Sequence, residues 1–502
     1  MGINSIFNTA STALAAQRVA IDVTGQNIAN VNTVGYSRQR AILESGPSTT
    51  HNGIPLGNGV YVATVQRLYD GVINQQLNDG NSTYGNNEAK LKSLQQLEPF
   101  FNELTGNALG DAMQKFSDSW QSLSLNPAGA AERQTVIGRA NILIDTFHQL
   151  NDGVRNVQSF ADTSIAGVAT DITAKAREIA SLNVQIRQSE LVSGSANELR
   201  DQRDTLLKDL TKLVGVSYSE QSDGTLTVSL PGGQALVTGA QYAQVYANPV
   251  TTTDANMPNP KNEIRITAIG FPPPTANTAT DTEVSGTIGG TNNTKGGVGG
   301  LLYIRDTVMP SYLSKLDETA YNLSYQVNTQ HAAGYNLDNA TGISFFNPAT
   351  ATAPPATTAA FSGYSSSSST LGIKLNITDI NEIAAADASP LTGGSGNNKN
   401  ALLMAQLAGK QVSFSDGSLA TVSSYYNTMV GSVGVEVQAA QNLTTQNENF
   451  MRQLGNLQQS VAGVSLDEEL TNLIKYQKAF EGASRAINVA TDMLDTVLNM
   501  VR

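Results

Sequence analysis

The chain has 502 residues and no cysteine. It therefore has neither the disulfide framework of a small secreted domain nor a cysteine nucleophile. Charged residues are scarce as well, at 14% of the chain against about 25% in ordinary globular domains. There is no run of about 18 apolar residues, so the sequence predicts no membrane-spanning helix.

Basic clusters are also missing, and the formal net charge is −12 with a pI near 4.8. A nucleic-acid-binding surface needs a basic patch, so we expect no nucleic-acid partner. The first helix has no basic leader ahead of an apolar core, which excludes a cleaved secretory signal of the usual kind. The three histidines, His51, His148 and His331, have no histidine partner at ligand spacing, and we expect no metal site.

No catalytic motif is complete. The glycine-rich segment 289–300 lacks the residue order of a phosphate-binding loop, and the segment around Ser395 lacks the final glycine of a nucleophile elbow. The acidic residues 467–469 follow Ser465, as at the start of a helix. Asp201, Arg203 and Asp204 are interpreted as a solvated helix face with local ion pairs. We therefore expect no enzymatic activity and no cofactor.

The two ends of the chain carry apolar residues at seven-residue spacing, which is typical of helices that pack on helices. These helices pack either against each other or against copies of themselves. Alanine occupies many of the neighbouring positions, so a two-helix pair alone would bury little area. The residues predicted to form this assembly interface are Phe7, Leu14, Ile21, Ile28, Leu466, Leu473, Tyr476, Phe480, Ile487, Leu494 and Val497.

Between the ends, the periodicity changes from helical to alternating and back. The longest helical pattern covers residues 127–190, and the glycine- and asparagine-rich segment 79–87 is expected to interrupt an earlier helix. Ser195 and Glu198 have the spacing of a capping box. Alternating residues after Gly215 predict strands. The fold class is therefore mainly α with inserted β domains, an elongated α+β chain with a helical-bundle body and β domains at its outer tip.

The predicted domains follow from these changes. We expect terminal assembly helices, an extended arm with the start of a helix, a helical body, a β domain and a second insertion of β or loop structure. Their residues are, in that order, 1–40 with 460–502, 41–83, 84–213 with 301–340 and 420–459, 214–300, and 341–419.

At the end of the first helix, Gly35 is suited to a left-handed turn. Asparagine side chains can bond the backbone groups that a helix end leaves free. We expect the residues of this helix-end and arm motif, Asn27, Asn30, Asn32, Gly35 and Tyr36, to fix the helix end and its link to the arm.

Several segments resemble a known family. Residues 27–38 (NIANVNTVGYSR) and residues 463–480 resemble the N- and C-terminal signatures of bacterial flagellar axial proteins. Within that group, residues 196–204, 299–302 and 327–335 resemble the hook-associated protein 1 family of hook–filament junction proteins. Together these matches cover about half of the chain and leave both insertions unmatched.

The resemblance implies a structural component of the flagellum that forms the junction ring between hook and filament and is needed for filament assembly. It implies export without a cleaved signal peptide and an extracellular location. The implied partners are further copies in a ring of about eleven subunits, hook protein below, and a second junction protein and flagellin above. A cytoplasmic export chaperone is implied at the C-terminal helix.

Two alternatives remain open from the sequence. Another flagellar axial protein, of the hook or distal rod, shares the terminal signatures but should lack the long helix. A secreted coiled-coil adhesin would account for the threonine- and serine-rich insertions.

Overall fold

A computed structural model describes residues 3–51, 54–101, 109–270, 274–289, 295–348 and 371–500. The chain begins with helix α1, Ile3–Ala29. An arm of four short strands follows: β1 (Gln39–Ser45), β2 (Thr49–His51), β3 (Ile54–Leu56) and β4 (Val60–Arg67). Strands β1 and β4 pair antiparallel with Gln39 opposite Arg67, and the pair packs on α1.

The body contains four helices from the first half of the chain. These are α2 (Gly71–Leu97), α3 (Leu109–Leu125), α4 (Ala130–Ser193) and α5 (Asn197–Leu213). The long helix predicted from the apolar period is confirmed: α4 has 64 residues and is about 96 Å long. It ends at Ser193 and is followed by the C-cap residue Gly194, whose φ of 75° lies in the left-handed region that favours glycine.

Three details of the helix boundaries were predicted wrongly. Helix α2 runs through segment 79–87 without a break, because its glycines serve packing: a Cβ on Gly85 would lie 2.1 Å from the Lys212 carbonyl oxygen. Helix α4 begins at Ala130, and not at Pro127. Helix α5 begins at Asn197 with Ala196 as its N-cap residue, and not at Ser195.

The alternating segment after Gly215 forms two antiparallel sheets. The first has four strands in sequential order, β5 (Ser217–Glu220), β6 (Leu226–Ser229), β7 (Ala235–Thr238) and β8 (Gln241–Tyr242). The second has the order β11-β10-β9, with β9 at Val245–Val250, β10 at Lys261–Ile266 and β11 at Thr282–Glu283. Both sheets lie along the C-terminal half of α4, where Thr173 and Asn183 bond the backbone of Val245 and Leu226.

Helical structure then returns. Helices α6 (Ser285–Gly289) and α7 (Gly297–Tyr303) lead through a π-turn at Ile304–Val308 into α8 (Met309–Ala333). The second insertion contains α9 (Pro390–Gly393), α10 (Lys399–Gln406) and a hairpin of β12 (Gln411–Ser413) and β13 (Leu419–Thr421). It lies at the N-terminal end of α4, where the Arg133 guanidinium donates to the carbonyl oxygen of Ile383. The chain ends with α11 (Val422–Ala462) and α12 (Leu466–Met500).

One hydrophobic core joins the body helices, both sheets and the second insertion. Its centre is a cluster of aromatic rings in which Trp120 packs against Phe116, His331 and Phe345. A small separate cluster of Ile73, Leu77 and Leu454 joins α2 to the C-terminal half of α11. The fold class is confirmed: the chain is mainly α, with small β insertions.

Candidate assembly site

The two ends of the chain come together as an antiparallel pair. Helices α1 and α12 pack against each other, and Asn27 near the end of α1 bonds Glu469 near the start of α12. On α1, the most deeply buried apolar residues are small: Ala10, Ala16 and Ala20 are at most 4% exposed. Small side chains allow the neighbouring elements to approach α1 closely, and they bury little apolar area there.

The predicted interface residues all lie on this pair, and each keeps part of its surface in solvent. Leu14, Ile21, Ile28, Leu473, Tyr476 and Ile487 are half-buried, whereas Phe7, Leu466, Phe480, Leu494 and Val497 are exposed. One helix partner and one hairpin are too few to enclose them.

The C-terminal end of α12 extends beyond its partner. Helix α1 has 27 residues and α12 has 35, which correspond to about 40 Å and 52 Å. Residues 491–500 are all exposed, including Met493, Leu498 and Met500. The apolar residues of the tip therefore have no cover from the described residues of this chain.

A buried polar junction fixes the start of the pair. The Asn27 side chain is 1% exposed. Its Nδ2 donates to the Gln39 carbonyl oxygen (2.8 Å) and to Glu469 Oε2 (3.0 Å). Its Oδ1 accepts from the Gln39 N–H and the Tyr36 hydroxyl, both at 2.9 Å. An asparagine amide has two donors and two acceptor sites, so Asn27 is fully used in joining α1, the arm and α12.

Charge reinforces this junction. The Arg38 guanidinium contacts Glu468 Oε2 and Glu469 Oε1, each at 2.6 Å. Burial, helped by the carboxylates of Glu198 and Asp201, raises the pKa of Tyr36 to about 12. The Tyr36 hydroxyl therefore stays protonated at neutral pH and remains a donor to Asn27.

The arm is tied to the body through α5. Ser37 donates to Asp201 from both its backbone N–H and its hydroxyl, each at 2.8 Å. Arg67 bonds Asp201 at 2.9 Å and Asp204 at 2.7 Å. The interpretation of this group as a solvated face was wrong, because Asp201 is 6% exposed and Arg203 is 1% exposed. The arm covers Asp201, whereas Arg203 is buried against Asn183 of α4 and the Gly224 carbonyl oxygen of the first sheet.

The other predicted residues of the helix-end and arm motif have different surroundings. Asn30 donates to the Gln26 carbonyl oxygen and accepts from Thr33, while Asn32 is exposed. Gly35 has φ of 84°, which confirms the left-handed turn, and a Cβ there would lie 2.6 Å from Thr205 Oγ1. Helix α1 itself ends earlier, at Ala29.

Sequence reasoning missed Arg38, Gln39 and Glu469 as parts of the junction. The run 467–469 was explained by the helix start alone. The available signal was the heptad register: Glu469 stands four residues before Leu473, on the row that faces α1, and a carboxylate in that row needs a partner.

Comparisons with known proteins give separate family matches for the middle of the chain and for its two ends. Residues 94–346 match the family model of the flagellar hook-associated protein FlgK helical domain. Flagellar hook-associated protein 1 of Bacillus subtilis is 30% identical over 98% of this chain and 97% of that protein. The chain belongs to the flagellar hook-associated protein 1 family. The member from Salmonella typhimurium is 27% identical over 99% of this chain and 100% of its own length.

The ends match a wider group than the hook-associated protein 1 family. Residues 7–36 match the flagella basal body rod protein model, and residues 457–500 match the C-terminal model of the FlgEFG rod proteins. These segments contain most of α1, all of α12 and, of the junction, Asn27, Tyr36 and Glu469. The structure of the flagellar hook junction protein FlgK from Burkholderia pseudomallei has a TM-score of 0.64 at 17% identity, over 77% of this chain and 100% of that one; it shares the fold.

The curated relatives of the hook-associated protein 1 family are structural flagellar proteins. Among the described residues of this chain, none of the helices combines the length and apolar character needed to cross a membrane. Over the same residues, His, Asp and Glu side chains form no group of three suited to a metal ion.

Proposed function

We propose that this chain is a non-enzymatic structural subunit at the hook–filament junction of the bacterial flagellum, and that it assembles with copies of itself through α1 and α12. The observation that carries the proposal is the incomplete burial of the large apolar residues on that helix pair. Leu466, Phe480 and Leu494 are between 38% and 46% exposed on ordered helices.

The energetics favour neighbours on these faces. Burying one large apolar side chain is worth about 1.5–3 kcal/mol, so a helix pair that leaves several of them half open gains stability from each added neighbour. Net stability of a folded domain is only about 5–15 kcal/mol. Assembly through α1 and α12 is therefore a substantial part of what keeps these helices ordered.

The finer features of the proposal rest on the family resemblance. They are a ring of about eleven subunits, hook protein below, a second junction protein and flagellin above, and an extracellular location reached without a cleaved signal peptide. The exposed tip of α12 is the surface we assign to a cytoplasmic export chaperone, because Met493, Leu494 and Leu498 would otherwise meet solvent before assembly.

The helix-end and arm motif has a separate role in this proposal. Asn27, Tyr36 and Gly35, with Asn30 in the turn, set the angle between the helix pair and the body. In this proposal, the helix pair contacts neighbouring copies and the body lies outside it. A change at Asn27 in the angle between the two would therefore displace the whole body in the assembly.

Deletion of the gene tests the function. We expect finished hooks without filaments in electron micrographs, with flagellin released into the medium. Missing or overlong hooks would instead assign the chain to the rod or hook. Normal filaments would contradict a junction role altogether.

A further inference from the structure

Helix α11 carries a second row of apolar side chains beside its buried face, and of this row the Phe450 ring has one edge close to Gly80 of α2. Its inner face is buried through Val433, Ala440 and Leu454. The row outside consists of Val435, Leu443, Phe450, Leu457 and Val461, which are 70%, 48%, 45%, 47% and 41% exposed. We call these five residues the outer α11 row.

The row is continuous along the helix. Ala439, Gln446 and Gln453 fill the intermediate positions, so that the spacing is three or four residues throughout. At 100° per residue, the row is centred roughly 100° around the helix from the buried face. It runs from Val435 to Val461, a distance of about 40 Å at 1.5 Å per residue.

Charge is absent from the centre of this surface. The 41 residues of α11 include only Glu436, Glu448 and Arg452 as charged residues. Glu448 and Arg452 fall on the opposite side of the helix by their spacing, and Glu436 lies beside the first residue of the row. A partner could therefore cover most of the row without burying an unpaired charge.

The C-terminal half of α11 packs on α2 of its own chain, and Gln458 Nε2 donates to Asn74 Oδ1 (2.8 Å) near the end of α11. It is held to α2 by the small cluster of Ile73, Leu77 and Leu454, with Met451 partly buried beside it. This half of the helix thus has one helix partner and an open side, unlike α4 inside the body.

We propose that the outer α11 row is the docking surface for a second copy of this chain, which packs laterally on it in the assembled junction. This inference rests on the proposed function, because it needs neighbouring copies. Beyond Gly463, Leu466, Leu470 and Ile474 at the start of α12 are also exposed, so the segment that follows the row offers further apolar surface to a copy engaged by the terminal helices.

The size of the row also favours a second copy of this chain as the partner. A strip about 40 Å long and 10 Å wide offers about 400 Å², half of the roughly 800 Å² per partner in a stable interface. The row is too small to dimerise the free chain and large enough to add to a contact already made elsewhere. A neighbour held by α1 and α12 meets that condition.

A photocrosslinking experiment tests which protein packs on the outer α11 row. We would place p-benzoylphenylalanine at Gln446, in the row, and as a control at Gln441, which is exposed on the opposite side of α11. Illuminated hook–filament preparations should give an adduct of two copies from position 446 and at least tenfold less from position 441. Adducts with another protein at position 446, or none, would overturn the inference.

A matched pair of double variants tests its contribution. Leu443→Glu with Leu457→Glu should reduce the chain retained on isolated hook–filaments at least tenfold, with export and melting temperature unchanged. Leu125→Glu with Leu191→Glu, at sites 83% and 82% exposed, should retain normal amounts. Normal retention of the row variant would overturn the inference alone. Absence of the unmodified chain from hook–filaments would overturn the proposed function and the inference together.

Discussion

The terminal helix pair and the helical body use the same kind of apolar spacing with opposite results. In the body, Leu143, Phe147 and Ile165 on α4 are fully buried. In the pair, Leu473, Phe480 and Leu494 repeat every seven residues and keep part or most of their surface in solvent. Periodicity predicts that a segment is helical, whereas the number of neighbours decides whether its apolar row is buried.

The difference implies two levels of folding. Helix α4 contacts helices α3, α5 and α8 and the sheets, so the body completes its core within one chain. Helix α12 has α1 as its principal partner. We therefore expect the body to fold independently and the helix pair to reach full stability only with neighbouring copies.

The largest expected difference in stability is between one leucine-to-aspartate substitution in the body and one in the helix pair. Leu143→Asp would bury an unpaired carboxylate, which costs several kcal/mol, and we expect the body to unfold. Leu494→Asp, at a site 41% exposed, should leave the melting temperature of the purified chain nearly unchanged but block filament growth. Circular dichroism melts and electron microscopy measure the two effects. Normal filaments with Leu494→Asp would contradict the proposed role of Leu494 in packing against neighbouring copies.

Sequence periodicity predicted the helices well because helix formation depends on local spacing. The glycine at position 35 predicted the left-handed turn there, which the structure confirms. Periodicity could not predict that Asp201 is covered, since the arm that covers it comes from residues 37–67, far away in the chain. The interruption predicted at 79–87 failed for the same reason: Gly85 serves a contact with Lys212 that only the tertiary structure reveals.

The second prediction concerns the pH dependence of stability, to which a buried histidine contributes in the body and not in the helix pair. His331 Nδ1 lies 2.7 Å from the Ile343 carbonyl oxygen, and its Nε2 accepts from the Ala384 N–H. Burial, with the nearby Arg133 guanidinium, lowers the pKa of His331 to about 4, against about 6.5 in an unfolded chain. Between these values the unfolded chain binds a proton that the folded chain does not. Stability therefore falls as pH falls from 6.5 to 4, by about 3 kcal/mol at 1.4 kcal/mol per pKa unit.

Denaturant titrations across that range measure the slope, and His331→Gln is the control that removes the titrating group. The control should have a shallower dependence on pH. Equal slopes in the two proteins would show that other groups account for the acid sensitivity.

A smaller effect concerns the junction between the two regions. Asn27→Ala removes four hydrogen bonds and leaves Glu469 and the Gln39 N–H without this partner. Each unsatisfied buried group costs about 1–3 kcal/mol. We expect faster hydrogen exchange in α1 and α12 with unchanged exchange in α4. Asn32→Ala, at an exposed site, is the matched control. Slowed or unchanged exchange in α1 with Asn27→Ala would contradict the coupling assigned to this side chain.

The smallest effect is in the turn that follows α1. With φ at 84°, Gly35 adopts a conformation that costs other residues about 1–2 kcal/mol, and β-branched residues fit it worst. Gly35→Val should therefore weaken the packing of the pair on the body more than Gly35→Asn, because asparagine tolerates positive φ. Both variants place a Cβ 2.6 Å from Thr205 Oγ1, so their difference in melting temperature isolates the backbone strain. Adding Thr205→Ala should relieve both variants equally. If the two variants melted at the same temperature, the hydroxyl contact rather than the backbone conformation would be the reason for glycine at this position.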